Sequence, residues 1–240
     1  MITGAAVCPC PPLLARELSG REPVLPELRD ACAEAAGRLV RMRPSVIIIV
    51  GSGAVTAQWD PGDRLDLYAF APALGAAGKP GLPPSLGIGA LLLDQAGYSG
   101  ARILQAIGED EPAASCLRLG AELASSDARA AMLVMGDGSA RRTPAAPGFF
   151  DERAAAFDAG IERAVRDGDV DALAATDPAL ARELMATGRP AWQVLAGAMP
   201  SPRPVTEVLY TDVPFGVAYL VALFGQAARQ PDEAAEKENR

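Results

Sequence analysis

The 240-residue sequence contains no histidine. That absence removes the side chain that titrates nearest neutral pH and the commonest protein ligand for metals. No Ser-His-Asp or Cys-His relay, and no imidazole-held iron or zinc, can be built from this chain alone. Basic residues are outnumbered too. The chain has 22 Lys and Arg against 30 Asp and Glu, for a net charge of −8 and an isoelectric point near 4.7. Such a charge disfavours adhesion to phosphate backbones and anionic lipid, so neither nucleic acid nor a membrane surface is an expected partner. No apolar stretch reaches bilayer-spanning length: Val213 to Phe224 is too short and holds a Pro and a Gly. Met1 to Val7 has no basic run ahead of its short apolar stretch, so it reads as a first strand and not as a signal peptide, which implies a cytoplasmic chain. The four cysteines are then expected as free thiols.

What remains is an ordinary globular composition, 50% hydrophobic and 22% charged, long enough to bury a substantial core. Ser45 to Val50 is short, continuously apolar and rich in β-branched residues, as a strand covered on both faces should be. The first helix follows Pro26, with Leu28, Cys32, Ala35 and Leu39 at helical spacing. Further helices are predicted at Pro84 to Ala96, Pro112 to Ala124, Asp151 to Arg166, Asp169 to Ala174, Pro178 to Ala186 and Pro190 to Ala198. Strands are predicted at Leu65 to Phe70 on the outside of the sheet, and at Arg102 to Ile107, Ala131 to Met135, Val205 to Tyr210 and Phe215 to Phe224, the last of which periodicity alone does not distinguish from a buried helix. Alternating strands and helices without a composition break predict a single α/β domain over residues 1–228, with a mixed, mostly parallel sheet flanked by helices. Residues 229–240 read as a flexible charged tail.

Open α/β sheets place their ligand crevice where loops leave the carboxyl ends of strands. Several Gly- and Pro-rich loops fall there. Cys8-Pro-Cys10 sets two thiols on one side of an extended chain, which suits a soft metal or plain packing of small apolar groups. Gly51-Ser52-Gly53 offers backbone amides but lacks both the dinucleotide fingerprint and the phosphate-loop lysine. Gly136-Asp137-Gly-Ser139-Ala140-Arg-Arg-Thr143 gathers a carboxylate, a hydroxyl and two guanidinium groups, and is either a ligand site or an Asp-Gly turn with solvated arginines. Glu207, Tyr210 and Asp212 lie near the closing strands, where a carboxylate reaches a pocket or caps a turn. Glu109-Asp-Glu111 reads as a helix-entry acid cluster, and Trp192 and Phe224 as core.

Several of these pieces together resemble the LigB-like superfamily, the class III extradiol ring-cleavage dioxygenases. They are Ala6-Val-Cys-Pro-Cys-Pro-Pro-Leu-Leu14, Val46 to Gly53, Leu82-Pro-Pro-Ser-Leu86, Leu133-Val-Met-Gly-Asp-Gly-Ser-Ala140, Ala146-Pro-Gly-Phe-Phe-Asp-Glu-Arg153 and Trp192-Gln-Val-Leu-Ala-Gly197. The resemblance implies one α/β domain and a strand-end pocket that, in active members, holds non-haem Fe(II) and opens catechol-type rings with O2. It also implies a His at the position of Cys10, another in the turn that reads Gly51-Ser52-Gly53, a carboxylate near the C-terminus at Asp212 or Glu207, and an acid/base His at Ala140. All the imidazoles are replaced here. One thiolate and one carboxylate do not make the two-His facial triad, and Ala140 has no proton to transfer. The expectation is therefore a divergent member without iron and without the ring-cleaving reaction. It keeps a pocket at Cys10, Ser52, Asp137, Ser139, Ala140 and Asp212 for a small aromatic ligand, a second copy or another protein chain. The alternative is a different reaction on small aromatic compounds, built on Cys10, Asp137, Ser139 and Asp212.

Overall fold

A computed structural model describes residues 2–19, 24–65, 70–71, 81–125, 128–199 and 204–225. They form one seven-stranded sheet covered on both faces by helices. In chain order the elements are β1 (Ile2–Cys8), α1 (Pro26–Arg41), β2 (Val46–Gly53), β3 (Ala57–Trp59), α2 (Pro84–Gln95), β4 (Ala101–Gly108), α3 (Ala113–Ala124), β5 (Ala130–Met135), α4 (Arg153–Arg166), α5 (Val170–Ala174), α6 (Pro178–Glu183), α7 (Arg189–Ala198), β6 (Val205–Asp212) and β7 (Tyr219–Gly225). The strand order is β3-β4-β2-β5-β1-β7-β6. Strands β4, β2, β5 and β1 pair in parallel, β3 and β7 run against them, and β6 follows β7 by an antiparallel pairing.

The two-residue period of the central strands sorts their side chains into two cores. Ala6 and Cys8 of β1, Ile47 and Ile49 of β2, and Leu133 and Met135 of β5 pack with Leu28, Cys32 and Leu39 of α1 and Leu86 and Ile88 of α2. Their alternates, Ala5, Val7, Ile48, Val50, Met132 and Val134, pack with Cys116 of α3, Ile161 and Val165 of α4, and Trp192 and Val194 of α7. Both layers are nearly dry, and each large side chain buried in them contributes about 1.5–3 kcal/mol of transfer free energy. Helices α3 and α7 cross closely because two glycines meet there: a Cβ on Gly120 would lie 2.0 Å from the Val194 carbonyl oxygen, and one on Gly197 would lie 2.1 Å from that of Leu117.

The structure departs from the sequence expectations at the margins. The closing strand begins at Tyr219 and not at Phe215, because Pro214–Gly216 forms a 3-10 turn in which Phe215 takes φ 58°. The helix predicted to reach Ala186 stops at Glu183, with Met185 left-handed just beyond it. The short strand Ala57–Trp59 covers β4 at one edge of the sheet. The predicted strand at Leu65 to Phe70 lies largely outside the described residues, and so does the predicted tail. Among the described residues, no helix is long and apolar enough to cross a membrane.

Candidate functional site

Three chain segments converge at the carboxyl end of β1. The chain leaves β1 through Pro9 and Cys10; it leaves β5 through Gly136 and crosses over the end of β1; and it enters β7 through Ala218. The crossing turn is tied down on both sides. Gly136 N–H donates to the Cys8 carbonyl at 3.0 Å, Gly138 N–H to the Ala218 carbonyl at 2.8 Å, and Ala218 N–H to the Ser139 carbonyl at 2.9 Å. Asp137 sits at the centre of this crossing. Its Oδ1 accepts the Cys10 backbone N–H at 2.8 Å, its own N–H reaches Thr187 Oγ1 at 3.4 Å, and its carbonyl accepts Gly188 N–H at 2.9 Å.

Enclosure governs the electrostatics of the cluster. Burial pushes the Asp137 carboxyl up to about 6, against the opposing pull of its hydrogen bonds from Cys10. Cys10 is buried, and the same desolvation, reinforced by the Asp137 charge, drives its thiol well above the ordinary cysteine value. Tyr219 is buried beside them, and its phenol is raised first by burial and then by Asp137 and Cys10. Behind Cys10, Cys8 shares a side-chain hydrogen bond with Cys32 that, together with burial, raises the Cys8 thiol. The group is a carboxyl poised near neutrality beside a thiol that stays protonated.

Asp137 and Cys10 are thus in direct contact. Ser139 lies on the same turn but faces a different partner: its Oγ donates to Asp158 Oδ2 at 2.6 Å and its N–H to Asp158 Oδ1 at 2.8 Å. Arg142 closes this group with an ion pair to Asp158 at 3.1 Å. Asp158 comes from α4, and nothing in its local sequence distinguishes it from the other acids of an amphipathic helix. Ala140 is buried, with its N–H on the Leu184 carbonyl at 3.0 Å.

A cavity of about 260 Å³ adjoins the turn. Gly138, Arg142, Asp158, Trp192, Asp212 and Tyr219 line it, so Asp212 reaches the same neighbourhood from the end of β6. Asp212 also caps its own turn: Oδ1 accepts Val213 N–H at 2.7 Å, and Oδ2 accepts the Tyr210 hydroxyl at 3.3 Å. The Tyr210 phenol is pushed up to about 12 by burial and by Asp212. Glu207 points elsewhere and pairs with Arg38 of α1 at 2.5 Å.

Ser52 belongs to the strand and not to a turn. Strand β2 continues through Gly51 and Gly53, which pair with Ala106 and Gly108 of β4. Its glycines make room for α2, since a Cβ on Gly51 would lie 2.5 Å from the Ser85 side chain, and Ser85 Oγ donates to the Ser52 carbonyl at 2.6 Å. Beyond β4, the Glu109-Asp-Glu111 segment leads into α3 and is gripped by Arg189 of α7, a buried arginine whose significance the sequence did not reveal. The Arg189 guanidinium donates to the Glu111 carbonyl at 2.6 Å, to the Glu109 carbonyl and to Gln193 Oε1 at 3.0 Å.

The residues at the β1 end do not fit the iron that the LigB-like resemblance implies. The Cys10 thiol is held protonated by burial and by its acidic neighbour, and one oxygen of Asp137 is engaged by a backbone amide. Among the described residues, no group of three Cys, Asp or Glu side chains is arranged to hold a metal ion.

No family model matches the sequence, and no curated protein matches it. Among solved structures, the fold is similar to that of an uncharacterized protein, JW3007 from Escherichia coli K12, with a TM-score of 0.55 and 14% sequence identity over 92% of this chain and 99% of that one. At that identity the likeness speaks to fold alone. It agrees with the mixed, mostly parallel α/β sheet described above.

Proposed function

We propose that this chain is a divergent LigB-like domain that has kept the strand-end site of the extradiol dioxygenases as a binding site and has lost their iron-dependent ring cleavage. The observation that carries the proposal is the Cys10–Asp137 contact. The chain brings together the β1-end and β5-end residues that the resemblance aligns with the catalytic region, yet joins them by a backbone amide and a protonated thiol, where ring cleavage needs open metal ligands. The adjoining cavity, walled by Trp192 and Tyr219 and entered by Asp212, suits a small aromatic ligand. Four free, buried cysteines support a cytoplasmic location.

The test is anaerobic reconstitution of the purified protein with Fe(II), followed by catechols and O2. The expected result is no ring-opened, yellow product. Native mass spectrometry of protein prepared without a His tag should show no stoichiometric iron. Robust turnover or one bound iron per chain overturns the proposal.

A second reading, a reaction run by Cys10 and Asp137 as a thiol–carboxyl pair, is favoured by the Asp137 carboxyl at about 6, a value suited to proton transfer. The raised Cys10 thiol opposes it. Alkylation of Cys10 that proceeds readily at neutral pH would favour this reading, whereas a thiol inert until strongly alkaline pH favours the binding role.

A further inference from the structure

The loop that continues from the Asp137 turn carries an uncommon surface. Residues 143–150, Thr-Pro-Ala-Ala-Pro-Gly-Phe-Phe, are without charge in a chain that is 22% charged. Phe149 and Phe150 stand 75% and 60% exposed. Two other segments abut this loop. A Cβ built on Gly148 would lie 2.6 Å from the Met185 sulfur, and one on Gly216 would lie 2.5 Å from the Ala146 Cβ, while Arg142 N–H donates to the Gly216 carbonyl at 3.1 Å. These neighbours bring Met185, 42% exposed, and Phe215, 59% exposed, to the same rim.

The backbone at this rim is also unusual. Five non-glycine residues among those described have a left-handed backbone, and three of them, Phe149, Met185 and Phe215 with φ of 61°, 57° and 58°, lie at this rim; the other two are Leu25 and Arg43. This left-handed region is open to glycine and costly for any residue with a Cβ. At each of the three positions the chain carries a large apolar side chain where glycine would fit without strain, and directs it into water.

We infer that this rim is the contact face of a homodimer, with the Phe149, Phe150, Met185 and Phe215 side chains of one copy set against those of a second. The four side chains expose about 450–500 Å² of apolar surface. That is most of the roughly 600 Å² per partner at which specific dimers begin, and Pro144, Ala145 and Pro147, all exposed, extend it. Charge points to the same occupant. Two copies of net charge −8 approach each other with least repulsion where local charge is absent. The charges that flank the uncharged loop, Asp151 and Glu183, are both paired with Arg153 within the chain, so a second copy meets no unpaired charge from them at this rim.

The test is sedimentation velocity of the full chain over a wide concentration range, with Phe149→Gly/Phe215→Gly as the variant. Glycine adopts the left-handed backbone freely, so the fold is retained, and circular dichroism checks this. The wild-type chain should pass from 24.8 kDa toward twice that mass as concentration rises, and the variant's dissociation constant should rise by about a hundredfold or more. Val55→Asp, at an exposed apolar residue on the loop after β2, should leave the dimer intact. A wild-type chain monomeric at every concentration overturns the inference, and so does a dimer that the double glycine variant leaves undiminished.

Discussion

Replacing Asp137 by Asn should stabilise the protein at neutral pH and have almost no effect at pH 4. The Asp137 carboxyl is raised from its ordinary value of 3.8 to about 6 by burial. In the folded chain, then, ionising it is harder than in the unfolded chain by about 3 kcal/mol. Below pH 3.8 the group is neutral in both states and nothing is lost. Between 3.8 and about 6 the folded state holds the proton more tightly than the unfolded state, so stability falls as pH rises through this window, and above it the full cost is in place. Asp137 is half-buried and water reaches part of the residue, so about 3 kcal/mol is a ceiling and 1–2 kcal/mol is the working expectation. Asparagine keeps the Oδ1 acceptor for the Cys10 N–H and carries no charge at any pH. In a chain of this size, 1–2 kcal/mol moves the melting temperature by about 2–8 °C. The assay is urea unfolding of both proteins at half-unit intervals from pH 4 to pH 7.5. The difference between them should open across pH 4–6 and then stay level. A difference that is constant with pH, or an asparagine variant less stable at pH 7, refutes the account of Asp137 as an enclosed carboxyl ionised at a cost.

Two other perturbations test how the site is supported. Gly120→Ala places a methyl about 2 Å from the Val194 carbonyl oxygen and must separate α3 from α7; a loss of about 2–4 kcal/mol is expected in denaturant titration, and a neutral result would mean that the two helices do not cross as described. Arg189→Met keeps much of the buried volume but leaves the Glu109 and Glu111 carbonyls without their donor; it should cost about 2–4 kcal/mol and speed amide hydrogen exchange at the β4–α3 junction, and unchanged exchange there would contradict the anchoring role.

The central sheet was legible in the sequence because its signal is local. The run Val46 to Val50 is apolar on both faces whatever surrounds it, and the stripe Leu28, Cys32, Ala35 and Leu39 declares a helix from its spacing alone; both stand as expected. Phe215 was misread for the same reason in reverse. Its apolar character continues the pattern of β7, and only the fold shows that Pro214 and Gly216 turn the chain there and leave Phe215 left-handed and exposed. The site divides along the same line. That Cys10 and Asp137 belong to strand ends follows from where the apolar runs stop, and the missing histidines follow from composition. That the two residues touch depends on β5 pairing with β1 across 127 positions of sequence, which no periodicity encodes. The Ser139–Asp158–Arg142 group and the buried Arg189 were illegible because each joins elements whose local patterns are those of any amphipathic helix or polar turn. Sequence alone determined which chemistry the chain lacks, since a side chain that is absent cannot be supplied by folding. Tertiary structure decided which of the remaining groups meet and how dry their surroundings are, because proximity and desolvation belong to the packed whole and not to any segment of it.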